Sequence, residues 1–148
     1  MTNVDIVKDF AAAFGAGDVN RMRDLLADDF LFDHANHEGT NDRAQFLGIV
    51  TSLKTAFPDL KMDLRNFEGD GSVRAEARLV GTHTGVLDLQ PMGLQKFQPT
   101  GKALDMTWEP ASWRIQGGRI VEHRVQATER GGVPGVLMSL GLEAPRKV

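Results

Sequence analysis

Apolar positions along this chain change their spacing once, from helical in the first third to alternating in most of the remainder. Val4, Ile6, Val7, Phe10, Ala11, Ala13 and Phe14 recur at the intervals that place side chains on one helical face. Gly15 and Gly17 end that run. Asp18 offers a side-chain acceptor to start a second helix carrying Met22, Leu25 and Leu26. Asp28-Asp29 closes the helical part, and Phe30 to His34 reads as a short strand with Phe30, Phe32 and His34 on one parity. A third helix is predicted from Asn41 or Asp42, with Phe46, Leu47, Ile49, Val50 and Leu53 as its buried stripe. Phe57-Pro58-Asp59 stops it, because the residue before a proline avoids helical geometry.

Beyond this point the period is two. Leu60, Met62 and Leu64 alternate with Lys61, Asp63 and Arg65, and Gly69-Asp70-Gly71 is a turn. From Ser72 to Thr84 one parity holds Val73, Ala75, Ala77, Leu79, Gly81 and His83. Gly85 to Gly101 is an irregular connection suited to the rim of a pocket. Leu104 to Ile115 is the next strand. Gly117-Gly118 is a hairpin turn into a last strand, on which Val121, His123, Val125 and Ala127 share a face. A simple two-residue turn sets Ser112 opposite His123 and Pro110 opposite Val125. That register gathers Met106, Trp108, Pro110, Ser112, His123 and Val125 into one patch. It sends Glu109, Trp113 and Ile115 to the outer face, where the two apolar residues suggest a homodimer through the sheet. Gly131 to Pro134 leads to a short apolar helix, Gly135 to Leu140, and Ala144 to Val148 is a tail.

Helices followed by strands imply an α+β domain, with helices against the concave face of a twisted sheet and a pocket between them. The 148 residues fit one domain spanning 1–148. A chain of this size buries roughly 70% of its unfolded surface. The net charge of −3 carries no electrostatic footprint for nucleic acid. The absence of cysteine removes disulfide and thiol chemistry. No apolar run approaches the ~20 residues that span a bilayer, so no membrane association is expected. The Met1-Thr2-Asn3-Val4-Asp5 start has no signal-type pattern, which makes the cytoplasm the default location.

Candidate chemistry rests on histidine. Of the four present, His34, His83 and His123 fall on apolar parities. An imidazole inside an apolar wall can move protons near neutral pH; it can also simply bond a backbone carbonyl and seal a core. His83, at a turn, fits the second role better. Met62, Met106, Phe32, Trp108, Ser112 and Val125 are candidate pocket-lining residues. His34-Ala35-Asn36-His37-Glu38 has no defined metal-ligand spacing, and neither metal nor other cofactor is expected.

The order and spacing of several short motifs resemble the SnoaL-like polyketide cyclase (ester cyclase) family of the NTF2-like, ketosteroid-isomerase-like superfamily. The matching stretches are Gly15-Ala16-Gly17-Asp18, Leu26-Ala27-Asp28-Asp29-Phe30, Asp33-His34, Ala56-Phe57-Pro58-Asp59-Leu60, Gly81-Thr82-His83-Thr84-Gly85, Pro99-Thr100-Gly101-Lys102 and Gly118-Arg119-Ile120-Val121-Glu122-His123. The resemblance implies a cone of three N-terminal helices on a strongly curved, mostly antiparallel sheet enclosing a pocket. It also implies a hydrophobic, carbonyl-bearing small-molecule ligand and acid/base aldol cyclisation. After Glu-His the family usually continues with Trp-Asp, that Asp being the acid/base of characterised cyclases; this chain has Arg124 and Val125, and Thr128 where a further family Asp stands. Two readings follow: an enzyme using His34 and His123, or a non-catalytic binding protein that has lost the acid/base Asp. A histidine-based dehydratase or isomerase, using His34, His83 and His123, is a further alternative. Ketosteroid-isomerase chemistry needs a tyrosine donor, and the chain has no tyrosine.

Overall fold

The computed structural model describes residues 2–34, 40–69, 71–90, 95–126 and 132–142. Helix α1 (Asn3–Ala16) begins with a capping box in which Thr2 and Asp5 satisfy each other's backbone N–H, and ends at Gly17 in the left-handed conformation (φ 68°). Asp18 then accepts from the Arg21 N–H at 3.0 Å and starts α2 (Val19–Leu25). The chain passes without a loop into strand β1 (Leu26–His34). Strand β2 (Asn41–Asp42) leads into α3 (Arg43–Ala56), where Asp42 and Gln45 form a second capping box. Lys54 on α3 donates to the carbonyls of Gly15 (2.7 Å) and Leu60 (3.0 Å), tying the end of α1 to the start of the sheet.

Strands β3 (Lys61–Glu68), β4 (Ser72–Val80), β7 (Glu109–Gln116) and β8 (Arg119–Val125) complete a curved six-stranded sheet ordered β2-β1-β8-β7-β4-β3, in which only β1 and β8 run parallel. Strands β5 (Leu87–Asp88) and β6 (Lys96–Phe97) pair separately, inside the connection expected to be irregular. Helix α4 spans Gly132–Ser139, beginning before the expected Gly135. The core lies between the sheet and the helices. It joins Ile6, Val7, Phe10 and Phe14 of α1 and Phe46, Leu47 and Val50 of α3 to Val73, Ala75, Ala111, Trp113 and Ile120 of the strands. Among the described residues no helix is long and apolar enough to cross a membrane.

Three strand boundaries also differ from those the alternation predicts. Strand β1 starts at Leu26 rather than Phe30. Six residues of β1, Leu26 to Leu31, run against three of β8, Ile120 to Glu122, and this irregularity lets the adjacent Asp28 and Asp29 both stay exposed. Strand β4 stops at Val80 rather than Thr84: the Thr82 N–H turns to the Asp59 carboxylate at 2.8 Å, and this bond holds the Asp59 pKa below its usual value. Strand β7 begins at Glu109, not Leu104, because the backbone of Ala103 and Leu104 is held by Thr82 and Gly81. Asp70 of the expected turn, the tail after Leu142 and Ala127 lie outside the described residues.

The register of the last hairpin is also different. Gly117 and Gly118 do form a two-residue turn, both at positive φ (59° and 78°), with Gln116 opposite Arg119. An extra residue, Val121, is then inserted between the pairs Ile115–Ile120 and Arg114–Glu122. Everything beyond slips by one: Trp113, not Ser112, faces His123, and Ala111, not Pro110, faces Val125. The bulge lets Ile120 and His123, three positions apart, both enter the core. It also turns Glu109, Trp113 and Ile115 inward and buries all three, removing the apolar outer patch that suggested a dimer through the sheet.

Candidate active site

A cavity of about 120 Å³ lies between the helices and the concave face of the sheet. Phe14 of α1, Phe46, Ile49, Val50 and Leu53 of α3, and Val136 of α4 close it on the helical side. Phe32, His34, Met62, Ala77, Arg78, Leu79, His123 and Val125 line it from the sheet, with Met106, Thr107 and Glu109 at the start of β7. Its wall is therefore apolar apart from a small group of polar side chains.

The strand pairing explains why those groups converge. On adjacent parallel strands Phe32 is opposite His123 and His34 opposite Val125; on the next strand Trp113 is opposite His123. Paired residues share a face, so the three strands present one row toward the helices. Glu109, two positions before Ala111, lies on that inward parity. Its Oε1 lies 3.7 Å from His34 Nε2, with side chains 9% and 6% exposed respectively. A carboxyl group and an imidazole buried this close can share or pass a proton.

His123 is held differently. Its Nδ1–H donates to the Ser112 carbonyl at 3.1 Å. A carbonyl only accepts, so in the neutral ring the other nitrogen, Nε2, carries the lone pair. Trp113 stacks on the imidazole, with centroids 4.7 Å apart and planes at 9°. Phe10, Phe32 and Phe46 approach it at 6.0, 5.3 and 6.3 Å. Burial among these rings pushes its pKa down to about 4; the Ser112 bond opposes the shift and the charge of His34 adds to it. At neutral pH His123 is an uncharged acceptor.

The other predicted residues are dispersed. His83 is fully buried but does not line the cavity; its Nδ1 accepts from the Thr100 N–H at 3.1 Å and lies 3.0 Å from the Thr100 hydroxyl. With His83 N–H bound to the Lys102 carbonyl, and Gly101 N–H to the His83 carbonyl, the residue fastens two loops together. Burial lowers its pKa. Trp108 does not line the cavity; the guanidinium carbons of Arg65 and of the cavity-lining Arg78 sit 4.0 and 4.5 Å from its ring centroid. Ser112 is on the outer face between its strand partners Arg74 and Arg124. Both corrections follow from the bulge at Val121. Phe32, Met62, Met106 and Val125 line the cavity. Of the histidine-rich stretch after His34, residues 35–38 lie outside the described residues; among those described, no three His, Asp or Glu side chains converge as a metal site.

Glu109 is the site residue that the sequence reading turned away from the cavity. The signal was present in β7 itself: Ala111, Trp113 and Ile115 alternate with Pro110, Ser112, Arg114 and Gln116, and Glu109 belongs to the apolar parity. Only the insertion of Val121 in β8 reconciles that parity with the two-residue turn.

The profile of the family described as SnoaL-like polyketide cyclase matches residues 4–130. The chain belongs to that family. No curated protein matches the sequence. Solved structures do. IdmH, a proposed polyketide cyclase from Streptomyces antibioticus, is 26% identical with a TM-score of 0.69, covering 94% of this chain and 98% of that one. AclR, a proposed hydroxylase from Streptomyces galilaeus, is 20% identical with a TM-score of 0.71, covering 93% of each chain. A protein with a ketosteroid isomerase-like fold from Catenulispora acidiphila is 19% identical with a TM-score of 0.63, covering 96% of this chain and 95% of that one. The fold of this SnoaL-like chain is thus the NTF2-like, ketosteroid-isomerase-like α+β architecture.

Proposed function

We propose that this SnoaL-like protein is a cofactor-independent enzyme that moves protons on a hydrophobic, carbonyl-bearing small molecule, as in an intramolecular aldol closure. The observation that carries this reading is the buried His34–Glu109 pair on the wall of an otherwise apolar cavity. Family relatives place the acid/base carboxyl group on the last strand, where this chain has Val125. Val125 is the strand partner of His34, so a carboxyl group there would stand beside the same imidazole that Glu109 approaches from β7. On this reading the carboxyl group has moved one strand over while the imidazole stays in place.

In the reaction, the Glu109 carboxylate takes the proton from the carbon next to the substrate carbonyl. The electron pair passes into the enolate and then forms the new carbon–carbon bond to a second carbonyl. The oxygen of that second carbonyl gains a proton through His34, so the product is an isomer of the substrate and no co-reactant is needed. Neutral His123, with its Nδ1–H committed to Ser112, accepts a hydrogen bond from a substrate hydroxyl or enol. Exchange of deuterium from solvent into the carbon next to a ketone tests the first step. The wild-type chain should accelerate exchange over buffer, and Glu109→Gln should lower the rate about 100-fold; wild-type exchange at the buffer rate would refute catalysis. The Val125 substitution favours a second reading, a binding protein without turnover, which predicts ligand retention with no exchange.

A further inference from the structure

Resting on the reading of the same cavity as a ketone site, we infer that Arg78 is a substrate-binding residue at its mouth, and that the substrate carries a carboxylate in addition to its carbonyl groups. The cavity is not closed. Exposed Thr107 and half-buried Arg78 mark its open side. By parity Arg78 belongs to the outer face of β4, with Arg74 and Glu76. The pairing of β4 with β7, however, ends at Ala77–Glu109. Arg78 is the next residue, so no residue of β7 pairs with it, and its side chain reaches the cavity round the end of that strand. Strand spacing puts the α-carbons of Arg78 and Glu109 roughly 6 Å apart. A guanidinium in this place can hold the same molecule on which Glu109 acts.

The bonding of Arg78 points to an anion. Its Nε is buried and has no hydrogen-bond partner among the described residues. A guanidinium N–H shut away from water without an acceptor is costly, which favours an acceptor brought by the ligand. Its acidic neighbour Asp63, on β3, stands 3.8 Å from Nη2, beyond hydrogen-bond length. The nearby Arg65 is committed instead, its Nε donating to Glu76 at 3.2 Å. The mouth therefore offers one guanidinium with donors to spare. That matches one carboxylate, which an arginine grips through two parallel N–H bonds. A dianionic phosphate would call for more positive charge than this. A neutral ketone enters the cavity without using the anchor.

The test uses the full chain with ¹³C-methyl methionine, reading cavity-lining Met62 and Met106, and with ¹⁵N-arginine, reading the Arg78 Nε–H signal. The probes are 4-oxo-4-phenylbutanoate and its methyl ester, which differ in the charge alone at the end of the same ketone. The acid should bind at least ten-fold more tightly than the ester and move the Nε–H signal. Arg78→Gln should bring the acid down to the affinity of the ester while the ester binds as before, which also shows that the variant is folded. Arg78→Lys keeps the charge without the paired donors and should lose at least three-fold of the preference; it serves alone if Arg78→Gln does not fold. Arg65→Gln/Glu76→Gln, which deletes the neighbouring ion pair at constant net charge, should keep the preference. Equal affinity for acid and ester, an unmoved Nε–H signal, or a preference undiminished in the Arg78 variants would overturn the assignment. Deuterium exchange at the carbon next to the ketone is followed in the same samples. An acid preference without exchange keeps the anchor and removes the acid/base reading; exchange on both probes with no acid preference removes the anchor and keeps the acid/base reading.

Discussion

Folding forces His123 to stay neutral, and this makes stability depend on pH in a way one substitution isolates. In the folded chain its pKa is about 4, against 6.5 for an unburied imidazole. Above 6.5 the ring is neutral in both states and the site costs nothing. As the pH falls below 6.5 the unfolded chain takes up a proton that the folded chain refuses until about 4. Stability is therefore lost progressively across that window. At about 1.4 kcal/mol per pH unit, the loss attributable to this ring is about 2.5 kcal/mol between pH ~7 and pH ~4.5. His123→Phe keeps an aromatic ring against Trp113 and removes the titration. It also forfeits the bond to the Ser112 carbonyl, a pH-independent offset of about 1 kcal/mol. Urea unfolding of both proteins at the two pH values gives the result by subtraction. Carboxylates and His83, which titrate in both proteins, largely cancel. His34, whose charge reaches His123, is the coupled group to check with a His34→Gln background. The wild-type advantage should shrink by about 2.5 kcal/mol at the lower pH. A difference constant to within about 0.5 kcal/mol would show that burial among Phe10, Phe32, Phe46 and Trp113 does not hold the ring neutral.

Three further substitutions separate fold from site. Gly85→Ala would drive its methyl group into the Thr55 carbonyl, so a loss of about 2 kcal/mol or more is expected in thermal or urea unfolding; wild-type stability would mean this loop sits elsewhere. Trp108→Ala removes the ring between Arg65 and Arg78 and should cost about 1 kcal/mol while leaving ketone exchange unchanged; a collapse of exchange would return Trp108 to the site. His83→Leu leaves the Thr100 N–H without its acceptor and should cost roughly 1–3 kcal/mol in unfolding, again with exchange unchanged; a rate loss exceeding ten-fold would make His83 part of the chemistry.

Much of this architecture was legible because buried faces impose a period. Phe46, Leu47 and Val50 of α3 and Phe30 and His34 of β1 are buried where the spacing places them, while Ile49, Leu53 and Phe32 on the same faces are half-buried and line the cavity. What the alternation could not reveal was a local insertion. One extra residue at Val121 changes the hydrogen-bonded partner of every residue beyond it without altering composition. A register without that insertion places Trp108 and Ser112 in the cavity and Glu109 outside it. The adjacent acids Asp28 and Asp29 marked a comparable irregularity in β1: two consecutive carboxylates cannot both face water on a regular strand with a buried face. Nothing in the spacing alone could bring Glu109 to His34, because β8 lies between their two strands.

The central claim is that Glu109 supplies from β7 the carboxyl group that β8 lacks. Ketone deuterium exchange by Glu109→Gln and by the double variant Glu109→Gln/Val125→Asp tests it most directly. The single change should lower the rate about 100-fold or more, and the double change should regain at least about ten-fold by setting a carboxyl group beside His34 again. A Glu109→Gln protein that exchanges at the wild-type rate would contradict the account.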